Sequence, residues 1–258
     1  MSRVRADVLL VARGLAESRT RAAALILAGQ VHTDNARIDK PGALIAEDAP
    51  IAVRGGARFV SRGGDKLEGA LAAMEPRGLA VSGLVCADIG ASTGGFTDCL
   101  LQRGAARVFA VDVGRAQLAQ KLRVDPRVTV MEDTNARTLG ASDFDAPIDL
   151  VAVDASFIGL GALAPALARI ARPGGHLIAL VKPQFEAGRE AARRGRGVIR
   201  DEETRALAIA SARSALEGAG FAVEAEIDSS VRGPKGNLER FVWARRVEVV
   251  AGGPPAAR

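Results

Sequence analysis

From Leu84 to Phe96 the chain reads Leu-Val-Cys-Ala-Asp-Ile-Gly-Ala-Ser-Thr-Gly-Gly-Phe, an apolar run that breaks into a glycine-rich turn and leads into a helical pattern. The glycines are Gly90, Gly94 and Gly95, so the G-x-G-x-x-G spacing of a dinucleotide fold is not met. A pyrophosphate needs successive backbone amides aimed at it from a helix N-terminus. Here Asp88 and the wider turn suit a ligand without phosphates. The next apolar run, Val108 to Val111, ends in Asp112, an acid placed to accept both ribose hydroxyls of a nucleoside. Strand, turn, helix, strand and acid in that order point to S-adenosyl-L-methionine as cofactor.

From Ser61 onward apolar strands alternate with helical stretches, the pattern of a parallel doubly wound α/β sheet of Rossmann type. Strands are expected near 84–88, 107–111, 128–131, 148–153, 175–181, 221–227 and 240–246, with helices such as 159–171 and 202–219 between them. Ligands of such sheets bind outside the carboxyl ends of the strands. Gly90, Asp112, Asp133 and Asp154 each follow an expected strand directly, so one crevice would collect them. Residues 54–65, rich in glycine, are the expected linker, which divides the chain into a small α+β domain at 1–60 and a larger one at 61–250. The Pro-Gly-Ala tail after Val250 is expected to be disordered.

In the first sixty residues Leu9, Leu10 and Leu15, then Ala22, Ala23, Leu25 and Ile26, recur at helical spacing. They predict two short amphipathic helices joined around Gly14 and Ser18, with Ser18 capping the second. Val31 to Thr33, Ile38 and Ile51 to Val53 read as short strands. Arg3, Arg5, Arg13, Arg19 and Arg21 would gather on one surface, either as a solvated helical face or as a phosphate-binding one. The motifs Arg5-Ala-Asp7, Gly14-Leu15, Ser18-Arg19, Ala23, Ile26, Gly29-Gln-Val31 and Lys40-Pro41 resemble those of the S4 RNA-binding domain, with Ala36 standing where a glycine commonly follows the asparagine.

Four charged residues sit in short motifs at the edge of the expected crevice. Lys66 lies in Ser-Arg-Gly-Gly-Asp-Lys-Leu, Asp154 in Val-Asp-Ala-Ser-Phe, Lys182 in Val-Lys-Pro-Gln-Phe-Glu and Glu239 in Gly-Pro-Lys-Gly-Asn-Leu-Glu. Lys182 directly follows Leu177 to Val181, and Pro183 stops that strand. A ribose hydroxyl is a poor nucleophile at neutral pH, so methylating it calls for a base held against it. A lysine serves when burial or a second cation eases loss of its proton. Lys66 is placed as that second cation, with Asp154 to orient Lys182 and Glu239 to align Lys66 or the ribose. Two salt bridges closing the sheet are the alternative.

Ser61 to Leu67, Gly90 to Phe96, Lys182 to Glu186 and Gly233 to Glu239 closely resemble the TlyA family of ribosomal RNA methyltransferases, whose catalytic domain is similar to FtsJ. The resemblance spans nearly the whole chain. It implies methylation of the cytidine 2′-hydroxyl in ribosomal RNA, with Lys66, Asp154, Lys182 and Glu239 as catalytic tetrad and Lys182 taking the proton. It also implies a cofactor site built on Asp88, Gly90, Ser92, Gly94, Phe96, Asp112 and Asp133. Phe59 stands where the linker of some members carries tryptophan.

Base N-methylation shares the sheet and the cofactor, but Asp154-Ala-Ser-Phe157 lacks the prolines that usually cradle an amine. Pseudouridine synthases also carry S4 domains, yet without such a cofactor turn. Some members of the family are called haemolysins; no segment reaches the roughly 18 apolar residues needed to cross a bilayer, so no membrane role is expected. An RNA-binding module without catalysis is the remaining rival, and candidates at all four tetrad positions argue against it. The net charge is +5, with arginine well ahead of lysine, which fits phosphate contacts. Aromatics make up 3%, with eight Phe, one Trp and no Tyr, so RNA is expected to be held by charge rather than by base stacking. Beyond Arg3, Arg5, Arg19 and Arg21, a basic loop with Arg193, Arg194 and Arg196 is expected to cover the RNA backbone. Two cysteines and two histidines, far apart, predict neither disulfide nor metal. The partners expected are ribosomal RNA or ribosomal subunits, in the cytoplasm.

Overall fold

The computed structural model describes residues 3–33, 36–53, 58–188, 197–233 and 235–247. Arg193, Arg194, Arg196 and the tail after Val250 lie outside them. The chain divides into two compact units, Met1–Arg58 and Phe59–Arg258.

In the first unit, helices α1 (Ala6–Ala12) and α2 (Arg19–Leu27) pack against short strands. Ser18 caps α2 by accepting a hydrogen bond from Arg21 N at 3.1 Å, as its hydroxyl and position lead one to expect. Strand β2 (Val31–Thr33) pairs antiparallel with β3 (Ala36–Arg37) and β5 (Ile51–Val53), while β1 (Arg3–Arg5) pairs with β4 (Leu44–Ala46). Ile38 is not in a strand. It sits just past β3, donates its N–H to Val31 O at 2.9 Å, and buries its side chain with Leu10, Ile26 and Val31 in the core.

The second unit is a seven-stranded sheet in the order β11-β12-β10-β9-β6-β7-β8. Strands β6 (Val85–Ile89), β7 (Arg107–Val111), β8 (Val128–Met131), β9 (Ile148–Val153) and β10 (Ala171–Val181) run parallel. The expectation of a wholly parallel sheet is corrected at one edge. Strand β12 (Arg240–Arg246) is inserted antiparallel between β10 and β11 (Phe221–Asp228), because the short connection after β11 folds back as a hairpin instead of crossing the sheet through a helix.

Alternate side chains of the central strands feed two cores. Cys86, Leu150 and Ala152 face Leu67, Leu71 and Met74 of α3 (Arg62–Met74) and Leu100 of α4 (Gly95–Gln102). Ala87, Val151 and Val153 face Leu160, Leu163 and Leu167 of α6 (Leu160–Ile170) and Ile209 and Leu216 of α8 (Glu202–Gly218). This alternation is the period-2 geometry of a strand covered on both faces.

Two further expectations shift. Gly63 and Gly64 belong to the first turn of α3, not to a linker. Phe59 is 1% exposed in the core, and a Cβ on Gly64 would lie 2.2 Å from its ring, so the glycine is what lets the helix settle on it. Strand order reverses around β6, with β7 and β8 to one side and β9 and β10 to the other. A crevice at the carboxyl ends of β6 and β9 is therefore the topological switch point at which α/β sheets bind ligands.

Candidate active site

Three hollows open at this edge of the sheet, and all three are lined by Asp154 and Ser156. One, of about 490 Å³, lies between the start of α3 and the turn after β6 and includes Ser61, Lys66, Gly90, Phe96 and Lys182. The second, about 570 Å³, is lined by Gly90, Ser92, Asp112, Val113, Asn135 and Arg137. The third, about 460 Å³, holds Lys66, Phe157, Lys182, Phe185, Lys235 and Glu239.

The strand ends deliver four charged side chains as two ion pairs. Lys66 Nζ lies 2.5 Å from Glu239 Oε2, and both side chains are buried. Lys182 Nζ lies 2.6 Å from Asp154 Oδ1 and donates to Ser156 Oγ at 2.8 Å. Asp154 is fixed because its N–H donates to Ile89 O at 3.0 Å, which ties the end of β9 to that of β6. Glu239 is fixed because its carbonyl accepts from Ser229 N at 2.9 Å, closing the β11–β12 hairpin. Its second carboxylate oxygen, Oε1, is buried and accepts no hydrogen bond among the described residues.

The turn after β6 is shaped by close approach. Gly90 has φ +85°, and a Cβ there would meet Asp154 O at 3.0 Å, so a side chain would push apart the two strand ends that form the crevice. Asp112 accepts from Ser92 N at 2.8 Å and from Gly114 N at 2.7 Å, which orients its carboxylate along the second hollow. Glu132 braces the segment beyond it by accepting from Ala116 N and Gln117 N at 2.9 and 3.0 Å.

A family profile decides what this combination belongs to: residues 59–246 match that of the FtsJ-like methyltransferases, and residues 4–50 match the S4 domain. The chain is a member of the FtsJ-like methyltransferase family. The 16S/23S rRNA (cytidine-2′-O)-methyltransferase TlyA of Mycobacterium tuberculosis is 46% identical over 94% of this chain and 90% of its own length. Hemolysin A of Brachyspira hyodysenteriae is 39% identical over 92% of this chain and 97% of its own. A solved structure described as a hemolysin from Streptococcus thermophilus superposes with a TM-score of 0.73 at 41% identity, covering 96% of this chain and 90% of that one. More distantly, magnesium protoporphyrin IX methyltransferase from Synechocystis, solved with bound SAH, shares the fold at 20% identity and a TM-score of 0.52, over 74% of this chain and 89% of that one. No helix among the described residues is long and apolar enough to cross a membrane, and no group of three His, Cys, Asp or Glu side chains among them is placed to hold a metal ion.

Within this methyltransferase, Lys66, Asp154, Lys182, Glu239, Gly90, Ser92, Phe96 and Asp112 all line the connected hollows. Three other expected cofactor contacts do not. Asp88 is fully buried behind the turn, where Oδ2 accepts from Thr97 N at 2.8 Å and Thr97 Oγ1 at 2.6 Å, so it braces the start of α4 and lines none of the hollows. Burial pushes its carboxyl up to about 7, against the Thr97 hydrogen bonds. Gly94 has φ +97°, and a Cβ there would meet Leu122 Cδ1 at 2.3 Å; its smallness serves packing. Asp133 is exposed, pairs with Arg115 at 2.5 Å, and leaves the wall of the second hollow to Thr134 and Asn135.

Composition argued against aromatic stacking, yet besides Phe96 two more of the eight phenylalanines, Phe157 and Phe185, stand at the site. Phe157 is 91% exposed, with φ +66°, a conformation that strains a bulky residue, and its ring lies 5.3 Å from that of Phe185. Ser156 was also missed. Both lie inside the Val-Asp-Ala-Ser-Phe motif, so the signal was the motif as a whole and not its acid alone. Glu186 accepts from Leu160 N at 2.7 Å and so ties the segment after Lys182 to the start of α6; burial raises its pKa.

In the S4 unit, Arg5 and Arg19 converge on Asp7, at 2.8 and 3.2 Å. Arg13 instead donates to Glu47 O at 2.6 Å, while Arg3 and Arg21 are exposed.

Proposed function

We propose that this methyltransferase transfers the methyl group of S-adenosyl-L-methionine to the 2′-hydroxyl of a cytidine in ribosomal RNA. The observation that carries the reading is the meeting of three hollows at Asp154 and Ser156, with a buried Lys–Glu pair and a Lys–Asp pair around that point. The substrate comes from the relatives named as ribosomal RNA cytidine-2′-O-methyltransferases.

The second hollow fits the cofactor. Glycine at 90 permits close approach of backbone to ligand, Asp112 offers a carboxylate to ribose hydroxyls, and the apolar Val113 flanks it. When bound there, the cofactor supplies a methyl group on a sulfonium, which is its own leaving group, so positioning does most of the work. Lys182 in its free-amine form takes the 2′-hydroxyl proton. Asp154 and Ser156 then hold the ammonium that results, a charge-assisted contact made in the transition state. Lys66 and Glu239 fix the ribose, with the free Oε1 of Glu239 as hydrogen-bond acceptor. Phe157 offers a face on which a base turned out of its helix can stack. Arg3, Arg5, Arg19 and Arg21 contact RNA phosphates, and so do Arg193, Arg194 and Arg196 of the arginine-rich sequence that follows Lys182.

The test is transfer of labelled methyl from S-adenosylmethionine to isolated small and large ribosomal subunits, with 2′-O sites mapped, for wild type and Lys182→Ala. Ribose methylation by wild type alone supports the reaction and the base. A methyl found on a base nitrogen, or no transfer to either subunit despite cofactor and RNA binding, overturns it.

A further inference from the structure

Asp7 is an acid in the middle of a surface read as RNA-binding, where bare electrostatics would not place one. Its side chain is buried, and it is not a loose surface partner. Arg5 donates to it in a fork, Nε to Oδ1 at 3.0 Å and Nη2 to Oδ2 at 2.8 Å, and Arg19 Nη2 reaches the same Oδ2 at 3.2 Å. The two guanidiniums come from different elements, the end of β1 and the first turn of α2, and one carboxylate brings them together. Both stay largely open to solvent, with side chains 48% and 63% exposed. A Cβ on Gly42, in the turn before β4, would lie 3.2 Å from Arg5 Nη1, so the lack of a side chain there leaves room for this orientation of Arg5.

Helix α2 strengthens the case. Its first turn carries Arg19 and Arg21 and no acid, which sets two cations at the positive end of the helix dipole. That arrangement is unfavourable in the free protein and favourable once an anion arrives. Hydrogen bonds from Arg5 hold the Asp7 carboxyl down to about 2, so it stays ionised and keeps its grip on both arginines at any working pH.

We infer that Asp7 is a positioning residue for RNA: it fixes Arg5 and Arg19 as one rigid pair whose exposed faces grip a single backbone phosphate. The inference rests on the reading of this unit as the RNA-contacting part of the enzyme. A fixed guanidinium pair loses less side-chain entropy on binding than two free arginines and presents planar forks matched to phosphate oxygens.

Two changes separate positioning from charge. Asp7→Asn adds a positive charge to the face but loosens the pair, and Arg5→Lys keeps the charge but removes the fork. Affinity of the full chain for isolated ribosomal subunits would be measured across a salt series, beside the double variant Arg5→Gln/Arg19→Gln, methyl-transfer kinetics and thermal unfolding. The expected result is that both single changes weaken binding roughly tenfold, with the loss falling on KM for the subunit more than on kcat. Tighter or unchanged binding by Asp7→Asn, together with weakened binding by the double variant, would mean that the arginines act by charge alone; the inference then fails while the RNA-contact reading stands. Unchanged binding by the double variant would remove that reading itself. If Asp7→Asn unfolds the unit, Arg5→Lys, which leaves the buried acid in place, decides alone: undiminished affinity there overturns the inference.

Discussion

Replacing Glu239 by Gln leaves the Lys66 ammonium, 8% exposed as a side chain, without its carboxylate. Breaking a buried pair on one side costs about 3–5 kcal/mol, because the remaining charge stays desolvated and unpaired. In a domain of this size each kcal/mol moves Tm by roughly 2–4 °C, so a fall on the order of 10 °C is expected. The double change Lys66→Met/Glu239→Leu removes both charges and keeps the volume, and such replacements are often neutral or stabilising. Urea and thermal unfolding of wild type, Lys66→Met, Glu239→Leu and the double variant form a closed cycle whose coupling term isolates the pair. Methyl transfer separates the two roles. If the pair positions the ribose, the double variant unfolds like wild type yet loses about 100-fold or more in turnover, the scale of a misplaced reacting group. A stable double variant with full activity would refute the catalytic assignment. A single-variant cost below about 1 kcal/mol, typical of exposed pairs, would refute the claim that the pair is desolvated.

Gly64→Ala should destabilise the second unit by roughly 1–3 kcal/mol, because the new Cβ would lie 2.2 Å from the Phe59 ring, and Phe59→Leu in the same chain should restore part of it in urea unfolding. Gly90→Ala should weaken S-adenosylmethionine binding in calorimetry by at least tenfold, since its φ of +85° and the 3.0 Å approach to Asp154 O both resist a side chain; unchanged affinity would exclude this turn from the cofactor site. For Asp88 the folded carboxyl, at about 7, lies above its unfolded value of about 4, so folding retains a proton that the unfolded chain has lost. Its contribution to stability is therefore complete below about pH 4, falls as pH rises to about 7 and then levels; Asp88→Asn should lack that fall when urea midpoints at pH 5 and pH 8 are compared, and identical pH dependence in the two proteins would contradict it. Phe157→Ala should raise KM for the ribosomal subunit several-fold with little change in S-adenosylmethionine affinity, and an unaltered KM would rule out base stacking at that ring.

The parallel part of the sheet was legible because Leu84–Ala87, Val108–Val111, Leu150–Val153 and Leu177–Val181 are short unbroken apolar runs, as strands buried on both faces must be. The antiparallel insertion of Arg240–Arg246 was not, since pairing direction depends on how the chain returns and leaves no mark on residue periodicity. Glycine spacing located the turn but could not assign its members. Gly90 is small for the approach of Asp154, whereas Gly94 is small for Leu122, and only tertiary contacts distinguish the two. Asp88 and Asp112 both follow apolar runs, yet one ends inside the fold against Thr97 and the other at the crevice. Asp88 lies inside β6, in register with Ala110 of β7, while Asp112 falls two residues further along and past the end of β7, so depth along the strand decides which acid meets the crevice.

The charged tetrad shows the same limit from the other side. Sequence motifs marked Lys66, Asp154, Lys182 and Glu239 as a set, with Asp154 to orient Lys182 and Glu239 to align Lys66 or the ribose; the fold places Glu239 on Lys66 and supplies the distances of both pairs. That pairing has a chemical consequence. With both lysines as ammonium the four residues carry no net charge, and with Lys182 as the free amine they carry one negative charge, so attraction for RNA must come from elsewhere on the molecule. On the function proposed above the arginines of the S4 unit supply it, by long-range steering that salt screens. A carboxylate beside a lysine favours the ammonium, and only the free amine takes a proton, so the pairing of Lys182 with Asp154 orients the base and holds the ammonium it becomes, and does not itself activate it.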